Sequence, residues 1–282
     1  NGTRRVAPET ARLVEEAIAL TGYTPNTIAR ALKRSATNSV GIAISAITNP
    51  YFSDIICAIE NECSRLGLMV FLSDTHDDAD RELDAVKALH QRRVDGIILA
   101  PSAHSEDKAL KYLEERTIPC VLVDRLPSRR FDQVGVWNKQ AMEQLVTHLV
   151  GHGHRRIGLI AGQPGFATTL ERIEGFRSGL KKQGVPLDEE LVHPGNQTVA
   201  AASAACRTLL ALAVPPTALV SGNNLATIGA MRAIREAGLK VPADLALVGF
   251  DDFEWADSFE PRLTVISQPC QEIGRRAAGL LV

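Results

Sequence analysis

The chain has 282 residues, 45% of them hydrophobic and 23% charged, and a net charge of −2. That length exceeds one compact core and implies two or three folding units, while the near-neutral total argues against a wholly basic nucleic-acid binder. Five scattered cysteines (Cys57, Cys63, Cys120, Cys206, Cys270) without a C-x-x-C spacing argue against a disulfide framework or a zinc site, and fit a reducing cytoplasm. No signal-peptide pattern and no apolar run of membrane-spanning length occurs, so no membrane partner is expected.

The first 34 residues differ from the rest. Pro8 opens a helical pattern that runs to about residue 20, followed by Gly22-Tyr23-Thr24-Pro25-Asn26 and a short basic segment. Residues 1–34 carry six Lys or Arg against three Glu, a net of +3, which leaves −5 for the remainder. Such asymmetry points to an electrostatic footprint at one end. Thr24 suits an N-cap and Pro25 a first helical position, so residues 25–34 predict a helix of about ten residues. That is shorter than the roughly 12–15 residues needed for marginal stability alone, so the segment should order only when something packs against it.

From Ser39 the pattern alternates strand and helix. Residues 40–46, 68–73, 95–101 and 119–124 are apolar runs without polar alternation, as expected of parallel strands buried on both faces. Helical patterns at 51–66, 78–92 and 105–116 separate them, with Gly67 at a C-cap position. The rhythm repeats with strands at 156–162, 191–194, 218–221 and 245–250 and helices at 140–151, 169–183, 199–211 and 226–237. Gly184 and Gly238 follow two of these helices. The expected fold is therefore α/β, two doubly wound parallel sheets facing each other across a cleft. Joints are expected at Val136-Trp137-Asn138 and Ser267-Gln268-Pro269. The chain starts abruptly and ends inside an apolar helical pattern at 275–282, as though cut at both ends.

Ligands of such sheets bind beyond the carboxyl ends of the strands. Asp124 ends one strand, Asp251 follows another, Asn223 lies just past 218–221, and Arg172 sits early on a helix facing the same opening. Polyols need fixed carboxylates and planar donors, because each hydroxyl both donates and accepts. The plainer reading of an Asp at a strand end is a helix cap or turn. His148 and His152, four apart, and His154 invite a metal reading, but Gly151, Gly153 and Arg155-Arg156 favour an ordinary helix C-terminus. Asp251-Asp252 has no nucleophile motif, phosphate-binding glycine loop or metal cluster beside it, so neither an enzyme, a metal nor a cofactor is expected.

Ordered blocks along the chain resemble the LacI/GalR family of bacterial transcriptional regulators. They are Asn1-Gly2-Thr3 through Val6-Ala7-Pro8-Glu9-Thr10, Gly22-Tyr23-Thr24-Pro25-Asn26 with Ala29-Arg30-Ala31-Leu32, and Thr48-Asn49-Pro50-Tyr51-Phe52. Arg93-Val94-Asp95-Gly96-Ile97-Ile98, Gly153-His154-Arg155-Arg156-Ile157 and Gly249-Phe250-Asp251-Asp252 complete the set. The resemblance implies a periplasmic-binding-protein-like core preceded by a helix-turn-helix headpiece and a hinge helix. It places a headpiece remnant at 1–24, the hinge and linker at 25–38, an N-terminal core subdomain at 39–137 plus 268–282, and a C-terminal one at 138–267. The base-reading helices would lie before Asn1 and the last core strands after Val282.

The resemblance also implies roles. Arg172, Asn223, Asp251 and Asp124 match effector-contacting positions; Tyr51, Phe52 and Gln268 match residues lining the cleft in some members. Asn26, Ala29, Arg30, Leu32 and Lys33 match the DNA-facing hinge, with Leu32 as a minor-groove wedge. Three departures stand out. Asn224 replaces a frequent Asp, Gln197 an aromatic platform, and Trp137 the Asp of an Asp-Asn pair, leaving Trp137 or Phe166 as a possible apolar wall.

The reading is a cytoplasmic bacterial repressor whose operator affinity is set by a sugar-like effector, acting as a homodimer or a tetramer built from it. The dimer is expected to use the helix at 51–66, where Ile55, Ile56, Ile59 and Cys63 exceed one buried face. The rival is a periplasmic-type sugar-binding protein without DNA function.

Overall fold

The computed structural model describes residues 6–22, 36–103, 108–127, 130–196, 198–258 and 260–282. Residues 1–38 and 39–282 form two separate compact units. The first contains α1 (Pro8–Thr21), with Pro8 in its first turn and Gly22 in the left-handed conformation after it; none of its residues is buried. The hinge positions Asn26, Ala29, Arg30, Leu32 and Lys33 lie outside the described residues.

The second unit holds two parallel sheets. The first runs β2 (Met69–Asp74), β1 (Ser39–Ile44), β3 (Gly96–Leu99), β4 (Cys120–Val123), β5 (Asp132–Val134). The second runs β10 (Thr264–Ile266), β9 (Ala246–Phe250), β8 (Ala218–Ser221), β6 (Ile157–Ala161), β7 (Val192–Pro194). Numbered within its own half, each sheet has the order 2-1-3-4-5, a doubly wound arrangement with its switch point between the first and third strands. In both halves that switch point opens at the carboxyl ends.

The crossover helices are α2 (Pro50–Arg65), α3 (Ala79–Gln91) and α4 (Lys108–Glu115) in the first half. In the second they are α5 (Asn138–Gly151), α6 (Ala167–Lys182), α7 (Val199–Leu210) and α8 (Asn224–Glu236). Local chemistry fixes their ends. Asn49, Asp78, Thr198 and Asn223 each accept a backbone N–H from the first turn of the helix they precede. Gly67, Gly184 and Gly238 take φ of +73°, +66° and +72°, the left-handed exit that glycine allows without strain. After β10 the chain returns to the first half as α9 (Cys270–Leu281), whose Ile273, Ala277 and Ala278 pack with Ile55 and Ile59 of α2. Gly274 makes that approach possible, since a Cβ there would stand 2.8 Å from the Ile55 carbonyl oxygen.

Three expectations need correction. The edge strands β5 and β10, three residues each, have no apolar run long enough to announce them. Strand β2 is not buried on both faces: Met69, Phe71 and Leu72 are exposed, because β2 ends the sheet with one neighbour. On α2, Ile55, Ile59 and Cys63 are fully buried in their own core rather than offered outward, and Ile56 is partly buried against the same cluster.

Candidate functional site

The residues after β1 and β4 build one wall. Asn49 caps α2, and this places Tyr51 and Phe52 at the helix start, both buried. The Tyr51 hydroxyl donates to Asp124 Oδ1 at 2.8 Å. Asp124 follows β4 with φ of 62°, a left-handed conformation that a non-glycine residue holds at a cost of about 1–3 kcal/mol. Its neighbour Arg125 is buried and donates to Asp77 Oδ1 (2.5 Å) and the Pro101 carbonyl (2.9 Å).

The residues after β6, β8 and β9 build the facing wall. Arg172, on the second turn of α6, donates through Nε to Asn138 Oδ1 and through Nη1 to the Gly222 carbonyl, both at 2.8 Å. Its guanidinium carbon lies 3.8 Å from the centroid of the Phe250 ring. Asp251 follows β9 with φ of 75° and accepts from Gln268 Nε2 at 2.5 Å. The Asn223 carboxamide oxygen is committed to the Ala226 N–H at 2.8 Å. Its nitrogen lies beside Gly162, 3.5 Å from where a Cβ would stand.

The two walls meet. Asn224 Nδ2 donates to Asn49 Oδ1 at 2.6 Å, and Arg125 lies over Phe166 from the opposite half. Tyr51 feels groups on both sides: burial first, then Asp124 and Asp251, hold its hydroxyl well above the usual tyrosine pKa, and Arg172 opposes them. Asp251 is likewise pushed up by burial, against the pull of Arg172 and the Gln268 hydrogen bond. Two buried acceptors, Asn224 Oδ1 and Gln268 Oε1, have no hydrogen-bond partner among the described residues. Unpaired buried polar atoms are costly, so a polar guest that donates to them is the natural complement.

Seven of the nine sequence-derived cleft positions thus lie buried at the carboxyl ends of the strands or the crossing beside them: Tyr51, Phe52, Asp124, Arg172, Asn223, Asp251 and Gln268. Trp137 does not join them. It is 80% exposed on the first crossing, in a surface hollow with Gln140, Gln144 and Ile266, because only its backbone anchors it, as the cap of α5. Phe166 is buried instead, 2% exposed, with the Arg125 guanidinium over its ring. Gln197 lies outside the described residues. Sequence reasoning gave no role to Asn49, Arg125 or Asn138; a polar residue beside each joint or strand end was the available signal. Among the described residues no group of three or more His, Cys, Asp or Glu is arranged to hold a metal ion, and no helix is long and apolar enough to cross a membrane.

Two like-ordered parallel sheets with polar side chains gathered where their carboxyl ends meet define a periplasmic-binding-protein-like, ligand-responsive core. Residues 37–282 match the family described as periplasmic binding proteins and sugar binding domain of LacI family. The chain is 32% identical, over its whole length and 85% of the relative, to the HTH-type transcriptional repressor PurR of Aliivibrio salmonicida (strain LFI1238). Among solved structures it resembles the Lac repressor bound to ONPG in the repressed state, with a TM-score of 0.89, 27% identity, and coverage of 100% of this chain and 85% of that one. It also resembles the transcriptional regulator CelR–cellobiose complex, with a TM-score of 0.80, 30% identity, and coverage of 99% and 85%. The chain belongs to the LacI family of ligand-responsive transcriptional repressors.

Proposed function

We propose that a sugar or related polar metabolite binds between two subdomains, residues 39–137 with 268–282 and residues 138–267, and sets operator affinity through their relative rotation. Arg172, Asn223, Asp251, Asp124, Tyr51, Phe52 and Gln268 line that site. The observation that carries the reading is the pair of partnerless acceptors, Asn224 Oδ1 and Gln268 Oε1, buried among cross-linked carboxylates and guanidinium where the sheets face each other. Operator affinity changes by the difference in effector affinity between the two arrangements and by nothing more.

The chain acts in the cytoplasm as a binding protein rather than a catalyst, and Asn26, Ala29, Arg30, Leu32 and Lys33 face operator DNA. A homodimer forms through the first half. Support comes from the exposed edge strand β2, where Met69 is 66% and Leu72 46% exposed, rather than from the buried isoleucines of α2. A periplasmic-type binding role without DNA is separated from this reading by one experiment. Thermal shift against sugars, sugar acids, phosphosugars and nucleosides identifies an effector, since a ligand at 100 times its Kd stabilises by about 2.7 kcal/mol. Operator binding by the full-length protein, with and without it, then decides. An effector that leaves operator affinity unchanged would sink the regulatory reading.

A further inference from the structure

Arg125 is 4% exposed, and every group that neutralises it lies in its own half of the core. Nη1 donates to Asp77 and the Pro101 carbonyl, Nη2 lies 3.4 Å from Ser45 Oγ, and Nε lies 3.6 Å from Asp124 Oδ2. What the guanidinium offers to the other half is its flat face. That face rests on Phe166, the cap of α6, with 3.7 Å from the guanidinium carbon to the ring centroid. Phe52, from its own side, lies 5.7 Å away. The ion pairs with Asp77 and Asp124 need no help from the second half, so parting the halves would leave no unpaired charge. It would break the stack and the Asn49–Asn224 hydrogen bond, and it would strain the Gln268–Asp251 hydrogen bond at the second crossing.

We propose that Arg125 and Phe166 form a clasp that closes the cleft without any ligand, with Arg125 acting at once as a positioning residue for Asp124. The clasp is opposed by the polar cost of closing. Asn49 Oδ1 already accepts the Tyr51 N–H, so Asn224 must present its nitrogen there, and its oxygen is left buried and unpaired. Gln268 Oε1 is left in the same state on the other side of Asp251. Buried aromatic stacking of a guanidinium favours closure, and two buried orphan acceptors disfavour it. The two effects oppose each other, so a change in either shifts the ratio of closed to open arrangements. On the reading of this cleft as the effector site, an effector then shifts the balance by supplying donors to those two oxygens rather than by pulling the halves together unaided.

The test is small-angle scattering of the ligand-free 282-residue chain, comparing wild type with Phe166→Leu, Phe166→Tyr and Arg125→Lys. Phe166→Leu keeps an apolar side chain and leaves every ion pair of Arg125 in place; Arg125→Lys keeps the charge and removes the flat face. The clasp requires a larger radius of gyration in both, a closed-to-open ratio lowered about tenfold or more, and a double variant no more open than either single one. Phe166→Tyr, which keeps the ring, should scatter like wild type. Circular dichroism confirms folding, and should Arg125→Lys fail to fold, Phe166→Leu decides alone. A folded Phe166→Leu chain with the wild-type scattering curve overturns the clasp. Because no ligand enters this measurement, an empty effector screen would weaken the binding reading and leave the clasp standing.

Discussion

Asp124 and Asp251 hold the same place in the two halves: each is the residue immediately after the fourth strand of its sheet, and each is left-handed, with φ of 62° and 75°. One accepts from Tyr51 and the other from Gln268. Strain at matched positions, held by a dedicated donor on each side, marks the carboxylates as positioned rather than incidental.

A pH dependence follows for Asp251. Burial holds its carboxyl above the ordinary range, so the folded state binds the proton more tightly than the unfolded chain, whose Asp pKa is about 3.9. Stability from this group is therefore full below the unfolded value and is lost as pH rises through the folded value. Asp251→Asn should raise Tm at pH 7, with the gain shrinking toward zero below about pH 4. Melting curves across that range check it, and a gain that grows on acidification would contradict the sign.

Arg172→Ala should weaken effector binding by about 2–5 kcal/mol, because it strips a buried, hydrogen-bonded cation from beside Asp251. Asn138→Ala, which frees Arg172 Nε, should cost about 1.5–3 kcal/mol through the same side chain. Calorimetry with the sugar found by thermal shift measures both. Unchanged affinity in Arg172→Ala would remove it from the site.

Phe71→Glu or Leu72→Glu on β2 should convert a dimer to a monomer in sedimentation velocity at micromolar concentration. An exposed apolar edge strand is a template for pairing, and a charge on it blocks pairing. A wild-type monomer, or a Glu variant that remains dimeric, would place the interface elsewhere.

Leu32→Ala in the full-length protein should reduce operator bending and specific affinity while leaving effector binding intact. If Arg30, Lys33 and Arg34 contact phosphates, each should add about −0.9 to the slope of log affinity against log salt. Bending assays and salt titrations check the two parts separately. An unaltered bend in Leu32→Ala would reduce that leucine to linker.

The strand–helix rhythm was legible because parallel strands covered on both faces read as uninterrupted apolar runs. Where that condition fails the reading fails, as at β2, which is exposed at Met69, Phe71 and Leu72 on both of its faces, and at β5 and β10, too short to show a run. Asp124, Arg172, Asn223 and Asp251 were legible because strand and helix ends mark the opening, whereas Tyr51, Phe52 and Gln268 were legible only through the family resemblance. Their partners were not, since Arg125 meets Phe166 and Asn49 meets Asn224 across 41 and 175 residues of sequence. Asn224 shows the gain. A carboxylate at this position could not donate to Asn49, whereas the amide links the two walls. Trp137 stands apart from the buried cluster, because its place on the joint is near the opening while its side chain is exposed.

The chain passes between the halves twice within the described residues, through 135–137 and 267–269. Two short straps behave mechanically unlike one. A single tether permits swivelling in any direction; a pair resists twisting and shear and leaves bending about the line that joins them as the soft motion. On the proposed reading, a guest in the cleft would act chiefly along that bending coordinate. The same geometry predicts tolerance: a protease cut in either strap alone would leave the halves joined by the other.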